Sequence, residues 1–466
     1  MPAPTATLDI VRRSIDPLEL GPATTFEGQL AGGKLPGAEL RFREGDIFRV
    51  LVNNRLFEPT TLHWHGIIPP NLQDGVPGIT QAPIPPGGSI LYEFPLLQTG
   101  TYWYHSHFGL QEQLGLAGPL VIEERADPYD AAHDEVLMLF DWIAGSPDGV
   151  IPAIRSGVER PGFPASMDFP SSPSHTLDGR PWNVDVYPPG LLANGRPAKD
   201  PGVLKATVGR PTRIRIINAG PSTFFTVRLA ELGMTLVEAD SNPVAPLPTD
   251  RILLGPGERC DVLVTPKREG AWTIEAAGLG LPFVARAVLA TDGADPSSAR
   301  PVVGAPGRAT TVEDLRATFD TRPPEGPVRT FDLPLGGNMK DYLWSIGGEY
   351  FAEDYVPEPN ATPLDVEAGS RVRITMRNPT KMAHPMHLHG HFFRVRTRGR
   401  SWDDVDLPLK DTLTVLPGDT AQIEFFCDNP GNWFFHCHNI YHLATGMARV
   451  VSYGVPLSTP AERGGR

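Results

Sequence analysis

Cysteine is almost absent from this chain. Three occur in 466 residues, at 260, 427 and 437, too few for the disulfide framework of a small secreted fold. Two free buried thiols at Cys260 and Cys427 are the expectation, with a disulfide between them as the alternative. Long apolar runs are missing too, and nothing approaches the ~18 residues of a membrane-spanning helix. Basic runs are absent, and the formal charge is −13. That argues against phosphate-driven nucleic-acid binding and against an anionic membrane surface. The first twenty residues, MPAPTATLDIVRRSIDPLEL, hold no apolar leader segment. A cytoplasmic protein or a mature exported form would both fit. Helix signals are few; ATTVEDLRATF is expected to form one short helix. The nine methionines are scattered rather than grouped.

Turn formers are plentiful, with 51 Pro and 48 Gly. They punctuate two boxes that recur three times. The first runs from Gly through an alternating stretch to Asn nine residues on: GDIFRVLVNN, GRPTRIRIIN and GSRVRITMRN, ending at Asn54, Asn218 and Asn378. The second starts at Pro-Gly: PGGSILYEFPLLQTGTYWYHSH, PGERCDVLVTPKREGAWTIEAA and PGDTAQIEFFCDNPGNWFFHCH. Alternation of apolar and polar residues marks half-buried strands. An all-β chain of three related β-sandwich domains is expected, at 1–125, 134–292 and 326–466. The linkers are EERADPYDAAH and the Pro-rich stretch 293–325. Segment 145–182, rich in Pro, Ser and Gly, reads as a loop insertion, either surface decoration or a rim over a site.

The repeat frame locates the chemistry. Nine and eleven residues after the box-one Asn come His63 and His65 in domain 1, His387 and His389 in domain 3, and Val227 and Leu229 in domain 2. Box two gives His105 and His107, then His436 and His438, against Glu275 and Ala277 in domain 2. Residues i and i+2 of a strand share a face. Eight imidazoles at matched positions therefore predict a cluster between domains 1 and 3, with room for three coppers. His133 and His175 fall outside the pattern and read as loop residues. His391 is given no ligand role.

Cys437 lies between His436 and His438, where domain 1 has Ser106. Thiolate, imidazole and thioether together select copper, and a His₂Cys set with a distant axial Met is an electron-transfer site. His442 and Met447 follow in HCHNIYHLATGM, and His384 in HPMHLHG supplies the second imidazole. The cysteine faces away from its histidine neighbours. One site would thus be joined through two peptide bonds to the other. Zinc is the runner-up metal, but its structural sites are closed four-ligand sets.

HWHG, YHSH, HPMHLHGH and HCHNIYHLATGM resemble the three-domain multicopper oxidases over essentially the whole chain. DGVPG, GTYWYHSHFGLQEQLGLAGPLVI and DNPGNWFFHCH are most similar to the bacterial copper-resistance-type branch and its laccase-like relatives. The resemblance implies three cupredoxin-like Greek-key domains and four copper ions. His384, Cys437 and His442 would hold type-1 copper, with Met447 axial. His63 and His387 would hold type-2 copper. His65, His105, His107, His389, His436 and His438 would hold the type-3 pair. Substrate would give up single electrons near an exposed His442, and O₂ would become two waters at the trinuclear cluster.

Asp74, in QDGVPG, matches an acid the family keeps near that cluster. Many relatives carry a further acid between HCH and GM. This loop has none, and Asn439 or water is the expected substitute. An axial Met goes with a lower type-1 potential than Leu or Phe, hence easily oxidised donors. Without a Met-rich insert, and with only a short connection after HLHG, an open type-1 site is expected. Phenols or aromatic amines are the expected donors. The alternative is a cuprous or other metal-ion oxidase in metal tolerance, with Met382 and Met386 as soft ligands. A copper-free scaffold and a two-domain nitrite reductase fit the motifs less well. A periplasmic or secreted monomer, in its mature form, is the expected state.

Overall fold

The computed structural model describes residues 3–22, 24–126, 133–172 and 174–455. Most of the linker EERADPYDAAH lies outside these residues. Three two-sheet sandwiches follow one another. In the first, one sheet runs Phe26–Ala31, Ala6–Ile15, Ile47–Asn54, Ser89–Pro95. The other runs Leu40–Arg43, Ala117–Glu123, Gly100–His105, His63–His65. The third repeats this pattern: Arg371–Arg377 pairs parallel with Val328–Asp332 and antiparallel with Thr420–Phe426. Its second sheet runs Leu364–Asp365, Ala448–Ser452, Asn432–Cys437, His384–Leu388, Thr412–Val415. The middle sandwich has the same two-sheet plan, with seven strands in one sheet and five in the other.

The repeated residues have repeated jobs. Gly45, Gly209 and Gly369 turn the chain with φ of 84°, 78° and 79°, a region that suits glycine. The side-chain amide of each box-one Asn donates to carbonyls of two later segments. Asn54 reaches Glu58 and Ile84, Asn218 reaches Thr223 and Leu254, and Asn378 reaches Met382 and Val415. Each therefore fixes how the chain leaves one sheet and joins the next. Tyr102, Trp272 and Trp433, the matched aromatics, are wholly buried.

Two local expectations change. ATTVEDLRATF forms only a 3-10 turn, Val312–Asp314, closed by a Thr311/Asp314 capping box. Its flanks bridge instead to the middle sandwich, Thr310 to Ile252 and Ala317 to Val244, which draws the chain out. The 145–182 segment is mostly irregular but contains helix α1, Val150–Arg155. Val150, Ile151 and Ile154 are buried in the core of the third sandwich. That burial gives a helical turn to a segment whose composition reads as loop.

Candidate copper centres

Strand register brings the histidines together. His63 lies opposite His105, and His387 opposite His436. Across the gap between the outer sandwiches, His63 stacks on His389 and His65 on His387, each at 3.8 Å between ring centres. All eight are buried except His107, which is partly so. One nitrogen of most rings is held by the protein. Nδ1 of His63 bonds the Asp74 carbonyl at 2.8 Å, and Nδ1 of His387 the Asp411 carbonyl at 2.9 Å. Nδ1 of His436 bonds the Cys437 carbonyl at 2.9 Å, and Nδ1 of His389 the Asp74 carboxylate at 2.9 Å. His65 is reversed, with Nε2 near Asp411 and Thr412 at 3.2 and 3.1 Å.

The other nitrogens have no protein partner: Nε2 of His63, His105, His107, His387 and His438, and Nδ1 of His65. Nε2 of His389 and His436 face each other at 3.0 Å. A ring whose N–H is tied up behind it presents a lone pair in front. Burial, then repulsion between the rings, lowers the pKa of His65, His105, His107, His389, His436 and His438 well below the usual value. Neutral imidazoles aimed at one buried space suit copper ions well.

A second set lies behind the same strand. Cys437 Sγ is 3.5 Å from His442 Nδ1 and 3.8 Å from His384 Nδ1, and the two Nδ1 atoms are 3.1 Å apart. Thr380 Oγ1 holds Nε2 of His384 at 3.0 Å. Burial pushes the Cys437 thiol up, so its thiolate form calls for a cation beside it. Met447 is fully buried, and its carbonyl accepts from the Cys437 amide at 3.0 Å. His442 rides on helix α2, Ile440–Ala444, whose first turn is capped by Asn439 through bonds from the Tyr441 and His442 amides. Asn439 Oδ1 is thus engaged in capping α2.

Family models described as multicopper oxidase match residues 20–127, 133–294 and 324–455. Multicopper oxidase MmcO of Mycobacterium tuberculosis is 38% identical, aligned over 91% of this chain and 82% of its own length. Laccase-1 of Fomitopsis schrenkii is 31% identical over 98% and 88%. Copper resistance protein A of Escherichia coli is 28% identical over 91% and 89%. The crystal structure of a multi-copper oxidase from Pseudomonas thermotolerans superposes with a TM-score of 0.71 at 26% identity, covering 97% of this chain and all of that one.

The chain belongs to the multicopper oxidase family. It is an oxidase that holds four copper ions, uses O₂ as acceptor and takes electrons from a small reducing substrate. Its three domains are cupredoxin-like β-sandwiches.

This multicopper oxidase lacks the open surface expected around His442. His442 is fully buried. Its Nε2 is 2.9 Å from Asp185 Oδ2, which also accepts the Tyr342 hydroxyl at 2.5 Å. Burial alone would raise the Asp185 carboxyl, but hydrogen bonds from His442 and Tyr342 hold it below the usual range. The Trp344 ring lies 4.3 Å from that of His442. The cover combines Arg155 of the 145–182 insertion, Asp185 just beyond it, and Tyr342, Trp344 and Tyr355 of the third domain. Arg155 at the end of α1 donates to carbonyls of Asp341, Tyr342 and Tyr355. Nothing near the copper motifs signals Asp185, which lies 257 residues from His442.

Two other acids were missed. Glu112 Oε2 is 2.7 Å from His105 Nδ1, and its Oε1, also buried, has no partner. It lines the cleft that reaches His107, His436 and His438. A carboxylate five residues past YHSH was its only signal. Asp411 sits under His65 and His387, held by Arg259 of the middle domain in two bonds of 2.7 Å. Burial would raise Asp411, yet the Arg259 charge brings it well below the usual carboxylate range. The middle domain also supplies Gly257, whose backbone passes close enough that a Cβ would lie 2.8 Å from His438.

The remaining residues are quieter. His391 bonds Tyr453 and faces no donor set. Cys260 and Cys427 are both free and buried.

Proposed function

We propose a laccase-like activity: phenols or aromatic amines are oxidised one electron at a time at the type-1 site, and O₂ is reduced to two waters at the trinuclear site. The observation carrying this reading is Cys437. Its Sγ belongs to the His384/His442 set, while its peptide neighbours His436 and His438 belong to the buried imidazole cluster. Copper bound at the two sets would supply the one-electron steps and the four-electron store. The protein links them by one peptide bond on each side of Cys437 and buries the cluster away from outside donors.

In this assignment His384, Cys437 and His442 hold type-1 copper with Met447 axial, and His63 and His387 hold type-2 copper. His65, His105, His107, His389, His436 and His438 hold the type-3 pair. Asp74 orients His389 through its carboxylate and His63 through its carbonyl, keeping both ligating nitrogens unprotonated. Cys437, His442 and Asp74 carry the catalytic roles. Similarity to laccases and the absence of exposed sulfur at Met382 and Met386, both buried, support organic donors over Cu(I). Similarity to copper resistance protein A supports the second reading, a metal-ion oxidase in metal tolerance. A periplasmic or secreted location is inferred from the likeness to that branch, and a monomer from the net charge of −13.

Oxygen uptake by the copper-loaded protein tests this. An electron-rich phenol should turn over faster than stabilised Cu(I), and Cys437→Ser should abolish it. Faster Cu(I) turnover, with phenol dependent on added copper, would instead make this a metal oxidase.

A further inference from the structure

We propose that the aromatic donor never touches His442. It docks outside the cap, in the open depression bounded by Arg155, Lys340, Asp341, Leu343 and Tyr355, and its electron reaches His442 through the rings of Tyr342 and Trp344. This rests on the organic-donor reading above.

Three observations carry it. The first is closure: His442 and Asp185 are buried, and Asp185 is already engaged by both His442 and Tyr342. No phenol hydroxyl can reach either group without breaking those bonds. The second is a chain of rings leading outward. Trp344 lies 4.3 Å from His442, and Tyr342 lies 6.0 Å from Trp344 and 6.2 Å from His442. The hairpin Leu335–Asn338/Leu343–Ile346 carries Trp344 and holds Tyr342 at its tip. Tyr342 has φ of 45°, a conformation that is unfavourable for a bulky residue and that persists only where the surroundings enforce it. Arg155 donates to the carbonyls of the two peptides that flank Tyr342, those of Asp341 and of Tyr342 itself. The third is the depression itself, directly over this tip. Tyr355 and Leu343 offer apolar surface for a ring. Asp341 and Lys340 are exposed beside them and can pair with a hydroxyl or amine.

The step balances simply. The donor loses one electron, and a phenol also releases its proton to bulk water. Copper held by Cys437, His384 and His442 would be the one-electron acceptor, passing from Cu(II) to Cu(I). Four such steps reduce one O₂.

The experiment mixes fully copper-loaded protein with 2,6-dimethoxyphenol without oxygen and follows bleaching of the thiolate-to-copper absorption. Tyr355→Ala should raise the half-saturating phenol concentration roughly two- to tenfold, the worth of one aromatic contact, with the limiting rate kept. Trp344→Leu should slow the limiting rate several-fold, with half-saturation, absorption maximum and EPR spectrum unchanged. If it fails to load copper, Tyr342→Leu is read against Tyr342→Phe, which loses the same bond to Asp185 but keeps the ring, and only the Leu variant should slow the limiting rate. Wild-type constants in Tyr355→Ala and in the ring variant would overturn the docking site and the route while leaving the phenol-oxidase reading intact. A faster rate with bulky phenols in Arg155→Ala, insensitive to Trp344→Leu, would show direct contact with His442 and overturn them as well. No bleaching by phenol in the wild type, with bleaching by Cu(I), would remove the organic-donor reading itself.

Discussion

Asp74 Oδ2 lies 2.9 Å from Nδ1 of His389, a contact between the first and third domains. The same residue's carbonyl takes Nδ1 of His63. One acidic residue thus sets the tautomer of two stacked imidazoles contributed by different domains. Asp74→Ala should weaken copper retention at the cluster by roughly 10–100-fold, the usual cost of losing such a support. Metal analysis after dialysis against a chelator would show it. The type-1 absorption should persist, since Asp74 makes no contact with His384, Cys437 or His442; its loss in parallel would contradict this role.

Arg259 and Asp411 form a two-bonded pair at full burial between the second and third domains. Arg259→Met leaves a buried carboxylate without its cation, which costs about 3–5 kcal/mol. Denaturant unfolding of the copper-free protein should register that loss. Restoring the charge with Lys should recover only part of it, because a lysine cannot make both bonds.

Met447 is buried beside the His384/Cys437/His442 set in sequence and in space. Met447→Leu removes the only thioether on that loop and should raise the type-1 potential, read by redox titration. An unchanged or lower potential would remove Met447 from the axial position.

Glu238 in the middle domain is pushed up to about 8, by burial and then by the nearby Asp261 charge. Between its ordinary value of 4.5 and about 8, the folded chain holds a proton that the unfolded chain has lost. Stability from this group therefore falls as pH rises through that window. Glu238→Gln should flatten the decline and raise the melting temperature at pH 8 more than at pH 5, by calorimetry.

Much of this was legible because strands are local and the repeats are spaced regularly. Nine residues from Asn54 or Asn378 always lead to the next sheet, since each Asn pins its own turn in the same way. The clustered histidines could therefore be placed by counting, and period two told which side chains share a face. Cys437 was recognisable for the same reason.

What counting could not supply lies across long separations. Asp185 and Arg259 reach the centres only because the sandwiches pack together, and no spacing rule links position 185 to 442. The insertion looked like loop by composition, yet burial of Ile151 and Ile154 makes it part of the type-1 cover. Local alternation and spacing were enough to set out the repeated sandwiches and the donor residues. The closure over His442 and the charges behind the rings emerge only on packing, because desolvation and long-range pairing exist only once the domains meet.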